Sequence, residues 1–362
     1  MSEVGLKTIE LDTPVLWVDL DVLERNIADV VGTLKAAGVG WRPHVKGIKV
    51  PAIAHLALAA GALGVTCAKL GEAEVMAAAG ILDILIANQV VGPQKIARLV
   101  HLRRQADVKV AVDSAENVAE LGRAAVVNGV ELGIVVEVDV GLERAGVAPG
   151  TPAVELSRRV HGTPGLCYQG LMGWEGQARR IENLDVRRAV IEESVGRLTH
   201  TAHQCREAGL PVGIVSAGGT GTYYVTAHLS GVTEIQTGGA IFGEVASKRW
   251  GVGTRPALFV RTTVTSRPTP ERIVIDAGFK ALPAWHSTPE PVGLSGVVSF
   301  QTSAEHGTLN LAAPALTVKV GDALDILVGY GDETVCLHDT LYGVREGVVE
   351  AVWPIVGRGK LR

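Results

Sequence analysis

Gly40-Trp41-Arg42-Pro43-His44-Val45-Lys46-Gly47-Ile48-Lys49 is the stretch on which the fold turns. A β-prone run over 39–45 ends in a basic, polar tip, and the next apolar unit begins soon after it. Taken alone, Arg42, His44, Lys46 and Lys49 suit a solvated loop as well as a strand end. What surrounds them decides between the two. Outward from this stretch an αβ rhythm repeats, with strands expected over 39–45, 64–68, 83–88, 109–114, 133–139, 167–175, 213–217 and 234–242. Most gaps hold Ala/Leu/Val-rich helical patterns, such as 71–79, 93–103 and 115–127, and 183–207 is long enough for a helix of several turns.

Eight buried-length strands alternating with helices imply a parallel sheet, and that number predicts a closed (β/α)8 TIM barrel. The rival is an open doubly wound sheet. Its dinucleotide-binding version lacks support, because no G-x-G-x-x-G follows the first strand. Upstream, 15–20 reads as a further strand. Asp21 then reads as the N-cap of a helix with apolar residues at Leu23, Ile27, Val30, Val31 and Leu34, stopped at Gly38. After about Trp250 the rhythm changes. Short strand patterns at 257–265, 272–276, 293–301, 315–320, 323–328, 333–337, 340–345 and 348–355, separated by turns and prolines, predict a C-terminal all-β domain.

Composition narrows the class. The chain has 362 residues, 47% hydrophobic and 20% charged, which suits a large core and argues against disorder. A net charge of −4 gives no reason to expect nucleic acid or an anionic membrane as partner. No apolar run approaches the ~18 residues of a spanning helix, and the N-terminus lacks the basic start and apolar run of a signal peptide. Cys67, Cys167, Cys205 and Cys336 form no C-x-x-C pair, so neither a disulfide framework nor a zinc knot is expected, and a reducing cytoplasm suits them.

In a barrel, chemistry gathers at the C-terminal tips of the strands. Those tips offer His44 and Lys46, then Cys67 and Lys69, Asn88 and Gln89, Asp113 and Ser114, Glu137 through Arg144, and Trp174-Glu175-Gly176. The last two offer Ser216-Ala217-Gly218-Gly219-Thr220-Gly221 and Gln236-Thr237-Gly238-Gly239. Two glycine-rich, hydroxyl-bearing turns at the seventh and eighth tips expose backbone N–H groups where barrels often cradle a phosphate. The plainer reading is that these glycines only turn the chain. A phosphate site facing a strand-end lysine suggests pyridoxal 5′-phosphate, an aldehyde that a lysine holds as a Schiff base. Arg42, His44 and Arg144 are candidates to lower that lysine's pKa. A sugar-phosphate aldolase would also use a lysine and a phosphate site, but it has no usual need of a second all-β domain.

Several motifs carry a resemblance that runs in order along nearly the whole chain. Arg42-Pro43-His44-Val45-Lys46, Val215-Ser216-Ala217-Gly218-Gly219-Thr220-Gly221, Ile275-Asp276-Ala277-Gly278-Phe279-Lys280-Ala281 and Glu305-His306-Gly307 are four of them. With Leu337-His338-Asp339, Val352-Trp353-Pro354 and Arg358-Gly359, they resemble the D-threonine aldolase / D-serine dehydratase-like family. The resemblance implies an alanine racemase-like fold: a pyridoxal-phosphate barrel over 29–246, with 1–28 plus 247–362 forming the β-rich domain. It implies Lys46 as the Schiff-base lysine, and Arg144 as the arginine at the cofactor's ring oxygen. Gly218, Gly219, Thr220, Gly221, Thr237, Gly238 and Gly239 become the phosphate cradle. His44 and Ser216 are expected as further cofactor contacts, and Trp174 as a contact to cofactor or substrate, its plainer reading being a core aromatic.

The family also holds a divalent ion (manganese, magnesium or zinc) beside the cofactor through a His-x-Cys or His-x-Asp pair. Here Tyr330 stands at the histidine and Asp332 at the second ligand, so Asp332 is the metal-ligand candidate. A neutral phenol is a poor ligand beside imidazole, which puts metal binding in question unless Glu305 or His306 helps. The implied activity is a lyase cleaving a D-β-hydroxy-α-amino acid to glycine, or a related amino acid, and an aldehyde. Without a metal, Glu175 or Tyr330 would take the hydroxyl proton. The alternatives are a D-serine or D-3-hydroxyaspartate dehydratase, with Lys46 as base at Cα, an amino-acid racemase with Tyr330 as second base, and a non-enzymatic cofactor carrier. A homodimer is expected from the fold.

Overall fold

The computed structural model describes residues 3–362. The chain divides into two compact units. One takes the N-terminal segment to Asp29, Gly47–Ala52 and Gly239–Gly359; the other takes Val30–Lys46, Ile53–Gly238 and Lys360–Arg362.

The second unit is an eight-stranded parallel sheet interleaved with helices. Its elements, in chain order after β1 (Val15–Asp19) and α1 (Leu20–Ala36), begin with β2 (Gly40–Trp41), α2 (Pro51–Ala59), β3 (Val65–Cys67), α3 (Leu70–Ala78) and β4 (Asp83–Gln89). They continue with α4 (Pro93–Arg103), β5 (Asp107–Val112), α5 (Ala115–Asn128), β6 (Leu132–Glu137), α6 (Thr151–His161) and β7 (Leu166–Met172). The last are α7 (Leu184–Glu207), β8 (Ile214–Ala217), the single-turn α8 (Tyr223–Thr226) and β9 (Glu234–Ile235). The sheet order is β2-β9-β8-β7-β6-β5-β4-β3. Its two ends meet: Leu63 N–H donates to Trp41 O at 2.8 Å, Thr66 N–H to Pro43 O at 2.9 Å, and His44 bridges Thr66 in parallel register. The barrel expected from the αβ rhythm is therefore present, and the open doubly wound rival is not.

Helix ends follow local chemistry. Asn183 caps α7 by accepting from the N–H groups of Asp185 and Val186, both at 3.0 Å. Ser114 caps α5 in the same way, and Gly129 ends that helix in the left-handed region at φ 62°. The expected cap Asp21 is corrected. Asp19 accepts from Val22 N–H at 3.0 Å, so the helix starts two residues earlier, at Leu20, and Asp21 lies in its first turn.

The barrel interior is layered by strand alternation. Asp83, Leu85, Ala87 and Gln89 step up one strand; Lys109 and Ala111 step up the next, with Asp113 beyond its end; Gly133, Val135 and Glu137 step up a third. Leu85, Ala111, Val135 and Met172, from four strands, pack as one apolar layer. Beneath it lies a charged layer. Arg42 Nε donates to both oxygens of Glu234 at 3.0 and 3.1 Å, Arg42 Nη1 to Asp83 at 2.7 Å, and Lys109 to Asp83 at 2.9 Å and to Asp107 at 2.7 Å. Arg42, only 3% exposed, is thus a structural ion and not a neighbour that tunes Lys46. Its two carboxylates and their hydrogen bonds outweigh burial and raise its pKa further. Above the apolar layer comes a polar one, which includes Gln89, Glu137 and Ser216.

The first unit holds a nine-stranded, mostly antiparallel sheet. Its strands are β1, β10 (Leu258–Thr269), β11 (Arg272–Ile275), β12 (Glu290–Pro291), β13 (Val297–Thr302), β14 (Gly307–Leu311), β15 (Ala323–Leu327), β16 (Thr340–Arg345) and β17 (Val348–Pro354), with the short α9 (Val245–Arg249) and α10 (Gly331–Thr334) between them. β10 alternates buried and half-buried residues over 258–264, the period of a strand with one face on a core. On its other face Trp17 stacks on Phe259 at 4.7 Å, and Asp325 ties Trp17 Nε1 to a bidentate Arg261.

Two strand expectations are corrected here. Residues 315–320 form turns. Residues 333–337 are helical, running through α10 into the 3-10 turn Val335–Leu337. There Gly331 N–H donates to Glu244 at 2.5 Å, and Asp332 and Glu333 sit in the first turn of α10.

Candidate active site

Lys46 lies in the turn Val45–Gly47, just beyond β2. Its backbone N–H reaches His44 Nδ1 at 3.4 Å, which makes Nδ1 the acceptor nitrogen of that ring. Its amine sits 5.3 Å from the centroid of the Trp174 ring. Arg144 approaches the same indole at 5.1 Å and Arg179 at 4.7 Å. Three cations around one indole gain modest cation–π attraction and make the surroundings of the ring positive. Arg144, about half exposed, also reaches Glu137 at 3.5 Å. Burial pushes the Glu137 carboxyl above its ordinary range; Gln89, at 2.6 Å, and Arg144 offset only part of that. A carboxylate in this setting orients Arg144 without cancelling the pocket's charge.

Trp174 follows β7 and is seated by small neighbours. A Cβ on Gly219 would fall 2.7 Å from its Nε1, and one on Gly176 would fall 2.8 Å from its ring. Glu175, the next residue, is fully buried. Its Oε1 accepts from Thr226 Oγ1 at 2.6 Å, and its Oε2 from Gly218 N–H at 3.3 Å. Both oxygens therefore hold the turn after β8. That is the geometry of an anchor and not of a base facing a substrate, which corrects the role expected of Glu175.

The turn after β8 is built from Gly218 at φ 78°, Gly219, Thr220 and Gly221. Gly219 N–H donates to Thr222 Oγ1 at 3.0 Å, while the N–H groups of Thr220 and Gly221 have no partner among the described residues. Ser216 accepts from Gln236 at 2.9 Å, which ties the tips of β8 and β9 together. After β9, Thr237 is 1% exposed, yet its hydroxyl has no hydrogen-bond partner among the described residues. Buried hydroxyls rarely go unmatched, so an acceptor from outside the chain fits there. Gly238 permits the approach of the lysine segment: a Cβ on it would lie 2.0 Å from His44 O. Gly239 opens the 3-10 turn Gly239–Phe242. An unmatched hydroxyl, unspent backbone donors and an amine near an aromatic face fit a phosphorylated aldehyde.

Tyr330, Asp332 and their neighbours belong to the other unit. Tyr330 Oη donates to Asp332 Oδ2 at 2.9 Å. Its ring stacks on His286 at 4.4 Å and meets Trp250 edge-on at 5.9 Å. Among the described residues, no three His, Cys, Asp or Glu side chains converge as metal ligands. Glu305, the suggested helper, pairs with Lys280 at 2.6 Å on the surface, and His306 is exposed beside it. The donor set does not fit a divalent ion.

Arg179 was not anticipated. It lies on the short 3-10 turn Gly176–Arg180, two residues past the expected tip, where strand alternation gives no guidance. Thr226 is the other residue missed; its bond to Glu175 links separate elements and leaves no local pattern.

Two family models match the chain: the alanine racemase N-terminal domain over residues 18–245 and a putative serine dehydratase domain over residues 257–344. D-threonine aldolase of Arthrobacter sp. is 35% identical over 99% of this chain and 96% of its own length. 3-hydroxy-D-aspartate aldolase of Paracoccus denitrificans (strain Pd 1222) is 36% identical over 98% of this chain and 94% of its own. The crystal structure of D-threonine aldolase from Filomicrobium marinum superposes with a TM-score of 0.97 at 34% identity, covering 100% of both chains.

Proposed function

This chain belongs to the D-threonine aldolase / D-serine dehydratase-like family, and from that premise we propose that it is a pyridoxal 5′-phosphate-dependent lyase. Its substrate is a D-β-hydroxy-α-amino acid, which it cleaves to glycine, or a related small amino acid, and an aldehyde. The observation that carries the reading is the Lys46 amine at 5.3 Å from Trp174, in the barrel whose Thr237 hydroxyl stands buried and unmatched.

The bound cofactor supplies an electron-poor ring that takes up the electron pair of the breaking Cα–Cβ bond. Everything else falls to the chain. Lys46 holds the aldehyde covalently. Thr220 and Gly221 N–H and the Thr237 hydroxyl take the phosphate, with Gly218, Gly219, Gly238 and Gly239 giving the backbone its close approach. Trp174, beside the Lys46 amine, would line the pocket of the cofactor ring. Arg144, steadied by Glu137, would bind the ring oxygen, and Arg179 would add positive charge suited to a substrate carboxylate. Tyr330, the remaining candidate once Glu175 is spent as an anchor, would accept the β-hydroxyl proton only by passing its own phenol proton to Asp332, to which it is already hydrogen-bonded. His44 sets the backbone of the lysine turn, and Ser216 holds β8 and β9 in step.

A dehydratase is the second reading, favoured by the serine dehydratase domain match over 257–344. It needs removal of the Cα proton, for which Lys46 is the base. Incubation with D-threonine, D-serine and D-3-hydroxyaspartate separates the readings. Glycine with an aldehyde is the expected outcome. A keto acid with ammonia would replace it by the dehydratase, and an L-amino acid without aldehyde by a racemase. Lys46→Ala is expected to lose the visible absorbance of the enzyme-bound cofactor, and an unchanged spectrum would remove Lys46 from its role.

A further inference from the structure

The site that family members use for a divalent ion is altered here in a way that goes beyond one exchanged side chain. Tyr330 brings a phenol, and Asp332 is the other half of the pair. The phenol's proton already lies between them, on a 2.9 Å hydrogen bond. The ring packs between His286, stacked on it at 4.4 Å, and Trp250, edge-on at 5.9 Å. The second oxygen of Asp332 is crowded too. A Cβ on Gly47, the residue after Lys46 in the chain, would lie 2.2 Å from Oδ1.

Other ligand-type groups on this segment are turned elsewhere. Glu333 Oε2 accepts from His286 N–H at 3.3 Å, Cys336 Sγ faces Glu333 O at 3.4 Å, and His338 Nε2 faces Ala281 O at 2.7 Å. A segment holding an aspartate, a glutamate, a cysteine and a histidine within seven residues thus presents one carboxylate and a phenol. Zinc wants three or four nitrogen, sulfur or carboxylate ligands, and magnesium or manganese wants several oxygens around one centre.

We infer that the Tyr330–Asp332 pair holds a single proton where relatives hold a divalent ion, so that this enzyme works without a metal and excludes one at this position. The inference rests on the family reading of this segment and not on which lyase reaction the chain performs. Its test therefore reads metal content and not turnover.

The holoenzyme is passed through metal-free buffer, assayed for bound manganese, zinc and magnesium, and dialysed to equilibrium against manganese chloride. Wild type is expected to hold far less than one equivalent per chain, and Tyr330→His is expected to acquire about one. Wild type holding one equivalent that Asp332→Ala removes would overturn the inference. So would a folded Tyr330→His variant that binds no more manganese than wild type. Should that variant fail to fold, the wild-type metal content and its response to Asp332→Ala still decide the matter.

Discussion

Two side chains in the candidate site give opposite tests of the same idea. The Thr237 hydroxyl is buried and unmatched, so the protein alone gains nothing from it. Thr237→Val, which keeps the shape, should leave the melting temperature of the cofactor-free protein unchanged or raise it. Cofactor affinity should fall about tenfold, or ~1.4 kcal/mol, and titration by absorbance checks this; equal affinity would mean the hydroxyl does not meet the phosphate. Glu175 is the reverse case, a carboxylate with both oxygens spent on the turn after β8. In Glu175→Gln the amide oxygen can keep the Gly218 N–H while the amide nitrogen faces Thr226, whose hydroxyl must turn from donor to acceptor; the charge-assisted bond is lost, at a cost of roughly 1 kcal/mol. Weaker cofactor binding is expected, with turnover at saturating cofactor within a few-fold of wild type. Lost turnover with unchanged affinity would return Glu175 to the chemistry. Residue type and strand position were enough to set the lysine, the arginine at 144 and the glycine turns beyond the ends of their strands, where they lie. They misled at Glu175 and Arg42, because a charge at a strand tip looks alike whether it points at a ligand or at a buried partner.

At the scale of elements, β2 is where local reading was weakest. Seven residues looked extended, yet only Gly40 and Trp41 pair as a strand, and Pro43, with no N–H to give, marks the change to single bridges. The helices did better, since α4 and α7 carry their own start signals in Pro93 and Asn183. Residues 333–337 read as a strand although they are helical, because what fixes the turn they belong to, the Gly331 bond to Glu244, spans 87 residues. The same limit hid what holds the lysine segment against the tip of β9. That contact is Gly238 on His44 O, where a methyl would meet backbone at 2.0 Å and neither strand can yield cheaply. Gly238→Ala should cost about 1–3 kcal/mol of stability and displace the turn carrying Lys46. Thermal unfolding and cofactor absorbance should both report it. A variant with wild-type values for both would show that the tip of β2 is not fixed by that contact.

For the molecule as a whole, the αβ rhythm was legible because each barrel strand is buried on both faces and each helix on one. Membership of the two units was less so: Gly47–Ala52 leaves the barrel unit and Lys360–Arg362 rejoins it, and nothing in local pattern marks either step. The charged layer at the base of the barrel is likewise a long-range construction, and it makes a global prediction about acid stability. Burial alone would raise the Asp83 carboxyl, but Arg42 and Lys109 outweigh it and hold the group below its ordinary range. A carboxyl depressed in the folded state contributes stability that is complete above its unfolded pKa of about 3.9 and lost as pH falls through its lower folded value. In that window the unfolded chain binds more protons, so stability rises with pH by at most about 1.4 kcal/mol per unit from this one group. Asp83→Asn removes the contribution and leaves Lys109 with Asp107 alone. The variant should be less stable than wild type at neutral pH, and the gap between them should narrow as pH falls below about 4. Urea unfolding of both proteins at a series of pH values measures the gap. A difference that stays constant through the acid range would show that Asp83 titrates alike in the folded and unfolded chain, and that the Arg42–Asp83–Lys109 cluster adds no charge-dependent stability to the barrel.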